Sequence, residues 1–215
     1  MSSDYRGDRR DFLKQSATAV AAATALHPFT ARATGGGGGK GQLGLVGADH
    51  VGLTVPDIGE AVAWFQDVMG ASAPLSFGPI ADPTGTLMHD LLGVHPRAVI
   101  DQITVLRLGR SANIELFQYQ APDQRRTHPR NSDWSGHHVA FYVTDIDAAV
   151  AHMVSKGVEK FLGPFALTAG PAAGQTINYF KTPFGTYIEL ISYPKGMAYE
   201  QTVATPLWDP RDNRP

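Results

Sequence analysis

A fourteen-residue stretch occurs twice in this chain. His50 to Ala63 lies over His138 to Ala151 at an offset of 88, and eight of the fourteen positions are identical. A second echo follows in the same order, Ile114-Glu115-Leu116 in one half and Ile188-Glu189-Leu190 in the other. The chain therefore contains two copies of one unit, each opening on a His strand and closing on an Ile-Glu-Leu strand. Repetition of this kind fixes the architecture before any motif is considered, because each copy is one supersecondary unit. A length of 215 residues suits two small halves sharing one core.

Both copies read alike in secondary structure. His50–Val55 and His138–Val143 are short β-rich runs. Asp57 and Asp145 are N-caps for helices over Ile58–Met69 and Ile146–Lys156, which Gly70 and Gly157 stop. Three strands complete each unit: Ala73–Phe77, Ile100–Leu108 and Ala112–Tyr119 in the first, and Glu159–Phe165, Thr176–Lys181 and Thr186–Tyr193 in the second. The pattern is βαβββ twice, an α+β fold with units over residues 46–121 and 134–195. Gly78–Ala98, with its prolines and glycines, is expected as a loop with one helical turn, of the kind that lids a site. Residues 196–215 show no strand or helix pattern.

Strand parity decides where the polar residues point, since alternate residues face opposite sides of a sheet. Val51, Leu53 and Val55, with Val139, Phe141 and Val143, form the apolar face under the helices. Ile114, Leu116, Ile188 and Leu190 join it. His50, His138, Glu115 and Glu189 then project from the opposite face, one His and one Glu per unit. If the units pair about a pseudo-two-fold axis, all four converge in one central cleft. A carboxylate on a half-apolar strand is costly unless paired or coordinated. Two of them beside two imidazoles form a donor set for a metal ion, whereas any one alone would read as a solvated surface residue. His137 has the wrong parity and is expected either to be structural or to support the ligands from behind.

Cysteine is absent, so thiol nucleophiles, disulfides and thiolate metal sites are excluded, and a metal must rest on His, Asp and Glu. A net charge of −2 gives no basic excess to neutralise a phosphate backbone, so nucleic acid is not an expected partner. No apolar run approaches the ~20 residues of a membrane span. Residues 1–33 carry Arg9-Arg10 before Phe12-Leu13-Lys14, an Ala-rich stretch, and Ala31-Arg32-Ala33 as a cleavage site. This resembles a twin-arginine export signal and implies a periplasmic protein. The glycine run within the linker at 34–45 decouples it from the domain.

The repeated His and Glu strands, with Pro183-Phe184-Gly185-Thr186-Tyr187 as the turn before the last strand, resemble the vicinal oxygen chelate superfamily over roughly residues 46–195. That superfamily includes glyoxalase I, methylmalonyl-CoA epimerase, extradiol dioxygenases and bleomycin resistance proteins. The resemblance implies one glyoxalase-like domain with a divalent ion, Zn, Ni, Co, Mn or Fe, held by His50, Glu115, His138 and Glu189. It also implies a lyase or isomerase that abstracts a proton next to the carbonyl of a small oxygenated substrate, with Glu115 or Glu189 as the base. An Fe(II) extradiol dioxygenase using His50, His138 and Glu189 is the second reading, and an exported small-molecule binding protein the third. Arg107, Tyr142, Tyr179, His89 and His95 are further candidates for substrate contact, and a homodimer is a possible assembly.

Overall fold

The computed structural model describes residues 44–213 apart from 46 and 111. Residues 1–33, expected to form an export signal, and all but the last two residues of the linker at 34–45 lie outside the described residues. The first unit runs β1 (Val51–Thr54), α1 (Ile58–Met69), β2 (Ser72–Phe77), β3 (Ile80–Ala81), α2 (Leu87–Leu92), β4 (Val99–Leu108) and β5 (Ala112–Gln120). The second runs β6 (His138–Tyr142), α3 (Ile146–Ser155), β7 (Glu159–Lys160), β8 (Phe165–Ala166), β9 (Thr176–Lys181) and β10 (Tyr187–Ser192). Both helices start as expected. The Asp57 carboxylate accepts the Glu60 N–H at 2.8 Å, and that of Asp145 accepts the Ala148 N–H at 3.0 Å, each satisfying a donor that the first helical turn leaves unpaired. Gly70 closes α1 in the left-handed conformation at φ 67°, which costs a glycine nothing.

Each unit forms its own mixed sheet, in the orders β1-β5-β4-β2 and β6-β10-β9-β7. In both, the last strand lies parallel to the first and antiparallel to the third. The parity argument holds for most of the residues it names, although Val51 at the start of β1 is 42% exposed. Leu53, Val55, Ile114, Leu116, Ile188 and Leu190 are buried on the helix side. Together with Phe65 of α1 and Val150 and Met153 of α3 they form a single core drawn from both units. Phe184, in the turn before β10, packs its ring 5.6 Å from both Trp64 and Phe65. The helices also touch directly: Lys156 Nζ is 2.6 Å from Asp67 Oδ1, and His152 Nε2 donates to the Val68 carbonyl at 2.9 Å. The two sheets thus bury their helix sides against one another.

Three departures from expectation have physical reasons. The single strand expected over Glu159–Phe165 is two short strands, because Pro164 has no N–H to give the ladder. The first unit breaks at the matching place, Gly78-Pro79 between β2 and β3, so Phe77-Gly78-Pro79 and Leu162-Gly163-Pro164 are a further echo of the repeat. Only glycine fits there. A Cβ on Gly78 would stand 2.7 Å from the Asp101 carbonyl, and one on Gly163 would stand 2.6 Å from Asn178 Oδ1. The stretch 78–98 is more ordered than a loop with one turn. Asp82 accepts the N–H groups of Gly85 at 2.7 Å and Leu87 at 3.0 Å, and Arg97 binds the carbonyls of Asp82 and Gly85. It lays Met88, Ala98 and Val94 onto Ile103, Phe117 and Tyr119, the same sheet face that carries Glu115.

The tail also has structure, in two 3₁₀ turns at Ala198–Gln201 and Pro210–Asn213. Arg211 folds it back. Its guanidinium meets Asp209 and Glu200, donates to the Tyr193 carbonyl at 3.0 Å and lies 5.0 Å above the Tyr193 ring. The tail therefore packs over the end of β10 in its own chain.

Candidate functional site

Each unit sets one imidazole on one carboxylate. In the first, Gly52 of β1 is the register partner of Glu115 of β5, and His50 Nε2 lies 3.1 Å from Glu115 Oε2. In the second, Ala140 of β6 pairs with Glu189 of β10, and His138 Nε2 lies 3.1 Å from Glu189 Oε2. The small residues Gly52 and Ala140 beside the glutamates leave room for the rings. Both pairs sit on the sheet face away from the helices, as parity required. The pairing compensates carboxylates whose side chains are only 18% and 9% exposed.

The two pairs differ in their support. Asp49 Oδ1 stands 2.7 Å from His50 Nδ1, and this hydrogen bond is the main reason the His50 pKa rises above its ordinary value, against the opposing effect of burial. Asn113 in turn donates to the Asp49 carbonyl at 3.1 Å. In the second unit the support comes from Tyr179 of β9, directly across from Glu189. Its hydroxyl donates to Glu189 Oε2 at 3.1 Å and lies 3.3 Å from His138 Nε2. Burial first, and then the Glu189 charge, push that hydroxyl up to about 12, so it stays protonated and donates across the neutral range. The corresponding register partner of Glu115 is Val105, which offers no hydrogen bond. Glu189 is thus held by two groups and Glu115 by one.

The four residues do not form one cluster in this chain. Among the described residues no group of three or more His, Cys, Asp or Glu side chains is arranged to hold a metal ion. The structure joins His50 to Glu115 and His138 to Glu189, and the single central cleft expected from pseudo-two-fold pairing is not formed. The reason lies in the shared core: the units meet through their helix sides, which leaves the faces bearing the pairs on the outside. One chain therefore offers two half-sets of donors, chemically suited to a divalent ion but divided. Of the other candidates only Tyr179 touches a pair. Tyr142 packs its ring 4.9 Å from Tyr193, His95 accepts the Arg97 N–H at 3.0 Å, His89 lies 3.3 Å from Asp90, and Arg107 donates to the Gly109 carbonyl at 3.3 Å. His137 approaches the Ser135 carbonyl at 3.2 Å and lines a cavity that runs along β1. Asp49 had no role assigned to it from the sequence, although its place next to His50 was a usable signal.

A cavity of about 970 Å³ lies along β1, and neither His50 nor Glu115 lines it. It is lined by Gly52 and Thr54 of β1, by Tyr119, and by Arg97, Arg125 and Arg126 among others.

Comparison with known proteins is consistent with this geometry. The family described as Glyoxalase/Bleomycin resistance protein/Dioxygenase superfamily matches residues 49–179, a span holding three of the four paired residues. A 2-epi-5-epi-valiolone epimerase from Actinomyces sp is 44% identical over 173 residues, covering 80% of this chain and 93% of that protein. An uncharacterised protein from Escherichia coli (strain K12), YaeR, is 28% identical over 149 residues, 69% of this chain and 98% of its own. A glyoxalase family protein from Bacillus cereus superposes with a TM-score of 0.54 at 18% identity, covering 69% of this chain and 94% of that one, a likeness of fold.

Proposed function

This chain belongs to the glyoxalase/bleomycin resistance protein/dioxygenase superfamily and is one of its enzymes, and from that premise we propose that it is a metal-dependent epimerase of a small polyhydroxylated ketone. The carrying observation is the pair of equivalent carboxylates, each 3.1 Å from an imidazole at the same place in each unit. The Actinomyces relative supports inversion of a carbon over cleavage or oxygenation. A dioxygenase built on His50, His138 and Glu189 would leave Glu115, itself matched to an imidazole, without a part.

Inversion next to a carbonyl needs one group to remove the proton and a second to return one to the opposite face. As the C–H bond breaks, its electron pair passes into the carbonyl to give an enediolate, and the new C–H bond restores the ketone with the centre inverted. Glu115 is the base of choice, because it is the less buried carboxylate and lacks a tyrosine partner. Glu189, fixed by Tyr179 and His138, is the positioned counterpart. A divalent ion, Zn, Ni, Co, Mn or Fe, would need His50 and Glu115 of one chain with His138 and Glu189 of a second copy, as in a homodimer, because one chain divides them, and would supply Lewis-acid stabilisation of the developing negative charge. The twin-arginine pattern at Arg9-Arg10 supports export of the folded protein as part of this reading.

The test is solvent exchange. The protein, matured by its own export route and incubated with 2-epi-5-epi-valiolone in D₂O, should wash deuterium into the position next to the carbonyl and yield the epimer, read by NMR. A substrate recovered without deuterium overturns this reading. Tyr179→Phe should weaken divalent-ion binding by about 10–100-fold, as loss of a hydrogen bond to a ligating group does. A chelator-competition titration checks it, and unchanged affinity would remove Tyr179 from this role.

A further inference from the structure

We propose that the cavity along β1 is a binding site for a small hydroxylated phosphate, a sugar phosphate in size and chemistry, held by Arg97, Arg125 and Arg126. The site goes beyond the epimerase reading and needs neither the ion nor a partner chain.

The charge of the lining carries the proposal. Arg97, Arg125 and Arg126 face the cavity with a single lining carboxylate, Asp101. That carboxylate is already occupied, because Asp101 Oδ2 accepts the amide N–H groups of Gln118 at 3.2 Å and of Gln120 at 2.8 Å. Among the described residues none of the three arginines forms a salt bridge. Arg97 donates to the carbonyls of Asp82 and Gly85, which fixes its guanidinium without neutralising it. Arginine does not lose its proton in a protein, so the three charges are permanent. Gathered on one concave surface they repel one another and focus positive potential into it. The chain as a whole carries a net charge of −2, so composition alone does not produce such a gathering.

The charges also come from separate places in the sequence. Arg97 lies just before β4, while Arg125 and Arg126 belong to the segment that leads from β5 to β6. Thr54 of β1 and Thr186, next to β10, line the same cavity, so it opens where the two units meet. Guanidinium groups bind phosphate through paired N–H donors. A phosphate monoester brings about −1.5 to −2 charges at neutral pH, which matches this excess better than one carboxylate would.

The remaining lining favours hydroxyl groups beside the phosphate. His128 Nδ1 lies 2.9 Å from the Pro129 carbonyl, and His137 Nδ1 lies 3.2 Å from the Ser135 carbonyl. A carbonyl only accepts, so in the neutral rings each Nδ1 carries the proton and each Nε2 is left as an acceptor. Such a nitrogen takes a hydroxyl hydrogen. Thr54, Thr127 and Thr186 add hydroxyls of their own. A volume of about 970 Å³ is ample for a ligand of sugar phosphate size.

The experiment is calorimetric titration of the purified protein with glucose 6-phosphate, glucose and inorganic phosphate, repeated in 1,10-phenanthroline. That chelator is neutral, so it strips any bound ion without competing as an anion. Glucose 6-phosphate should bind saturably in both conditions, glucose should not bind, and inorganic phosphate should bind more weakly than the sugar phosphate. Arg125→Ala with Arg126→Ala should weaken glucose 6-phosphate by about 10–100-fold, as loss of hydrogen bonds to a charged group does. Arg125→Lys with Arg126→Lys should recover part of that loss, because the charge returns without the planar fork. Arg110→Ala, an exposed cation outside the cavity, should change nothing. Binding that disappears in phenanthroline would assign the phosphate to the ion and overturn the proposal. Equal affinity for glucose, or full affinity in the double alanine variant, would overturn it as well.

A second arm uses wild type alone. Glucose 6-phosphate should protect Arg125 and Arg126 from phenylglyoxal, an arginine reagent, as read by peptide mass spectrometry, while Arg110 stays reactive. Absence of that protection overturns the proposal even if the double variants fold poorly. Glucose 6-phosphate binding in a protein that exchanges no substrate proton would remove the epimerase reading and leave this site standing.

Discussion

Glu115→Gln should lower turnover by ~10²–10⁴-fold, the range expected when a positioned general base is lost. The amide keeps the shape of the side chain and one oxygen near His50, so the fold and much of the ion affinity should survive, while the group able to take a proton is gone. Glu189→Gln acts differently. Its carboxylate is the more buried, 7% exposed as a residue, and it accepts the Tyr179 hydroxyl while meeting His138. Removing that charge should weaken ion binding as well as turnover. Turnover and metal content of both variants beside wild type separate the two roles. An unchanged rate in Glu115→Gln would end its assignment as base, and a loss of turnover in Glu189→Gln with full metal content would transfer that assignment.

Phe65→Ala should cost ~3–5 kcal/mol, the usual penalty for emptying an aromatic site in a packed core. Phe65 is fully buried and its ring meets Trp64 at 5.0 Å and Phe184 at 5.6 Å, so it stands where α1 of the first unit meets the turn of the second. Each kcal/mol lowers the melting temperature by roughly 2–4 °C in a domain of this size, so a fall of about 6–20 °C is expected by calorimetry. Val154→Ala on α3, 50% exposed, should stay within about 0.5 kcal/mol. A small effect at Phe65 would mean that the two units do not depend on their shared core.

Much of this was legible in one dimension. Asp57 and Asp145 marked where the helices begin, because a cap is a local hydrogen bond three residues long. The period of two along each strand put His50, Glu115, His138 and Glu189 opposite the apolar residues. The Gly-Pro echo was harder to see, since it recurs at an offset of 85 while the His strands recur at 88. Tyr179 was one of several candidates of equal standing. Its place across from Glu189 depends on the register between β9 and β10, which separate stretches of sequence do not state.

The amino-acid sequence by itself determined the repeated unit, the ends of its helices and the face on which each His and Glu lies, because all of these follow from local hydrogen bonding and from strand periodicity. Only the tertiary structure decided how the two units meet. An apolar face must be buried, but nothing in its pattern says against what, and burying helix side against helix side satisfies it as fully as forming one continuous cleft would. That choice leaves His50 with Glu115 and His138 with Glu189 as two separate pairs on the outer faces of one chain.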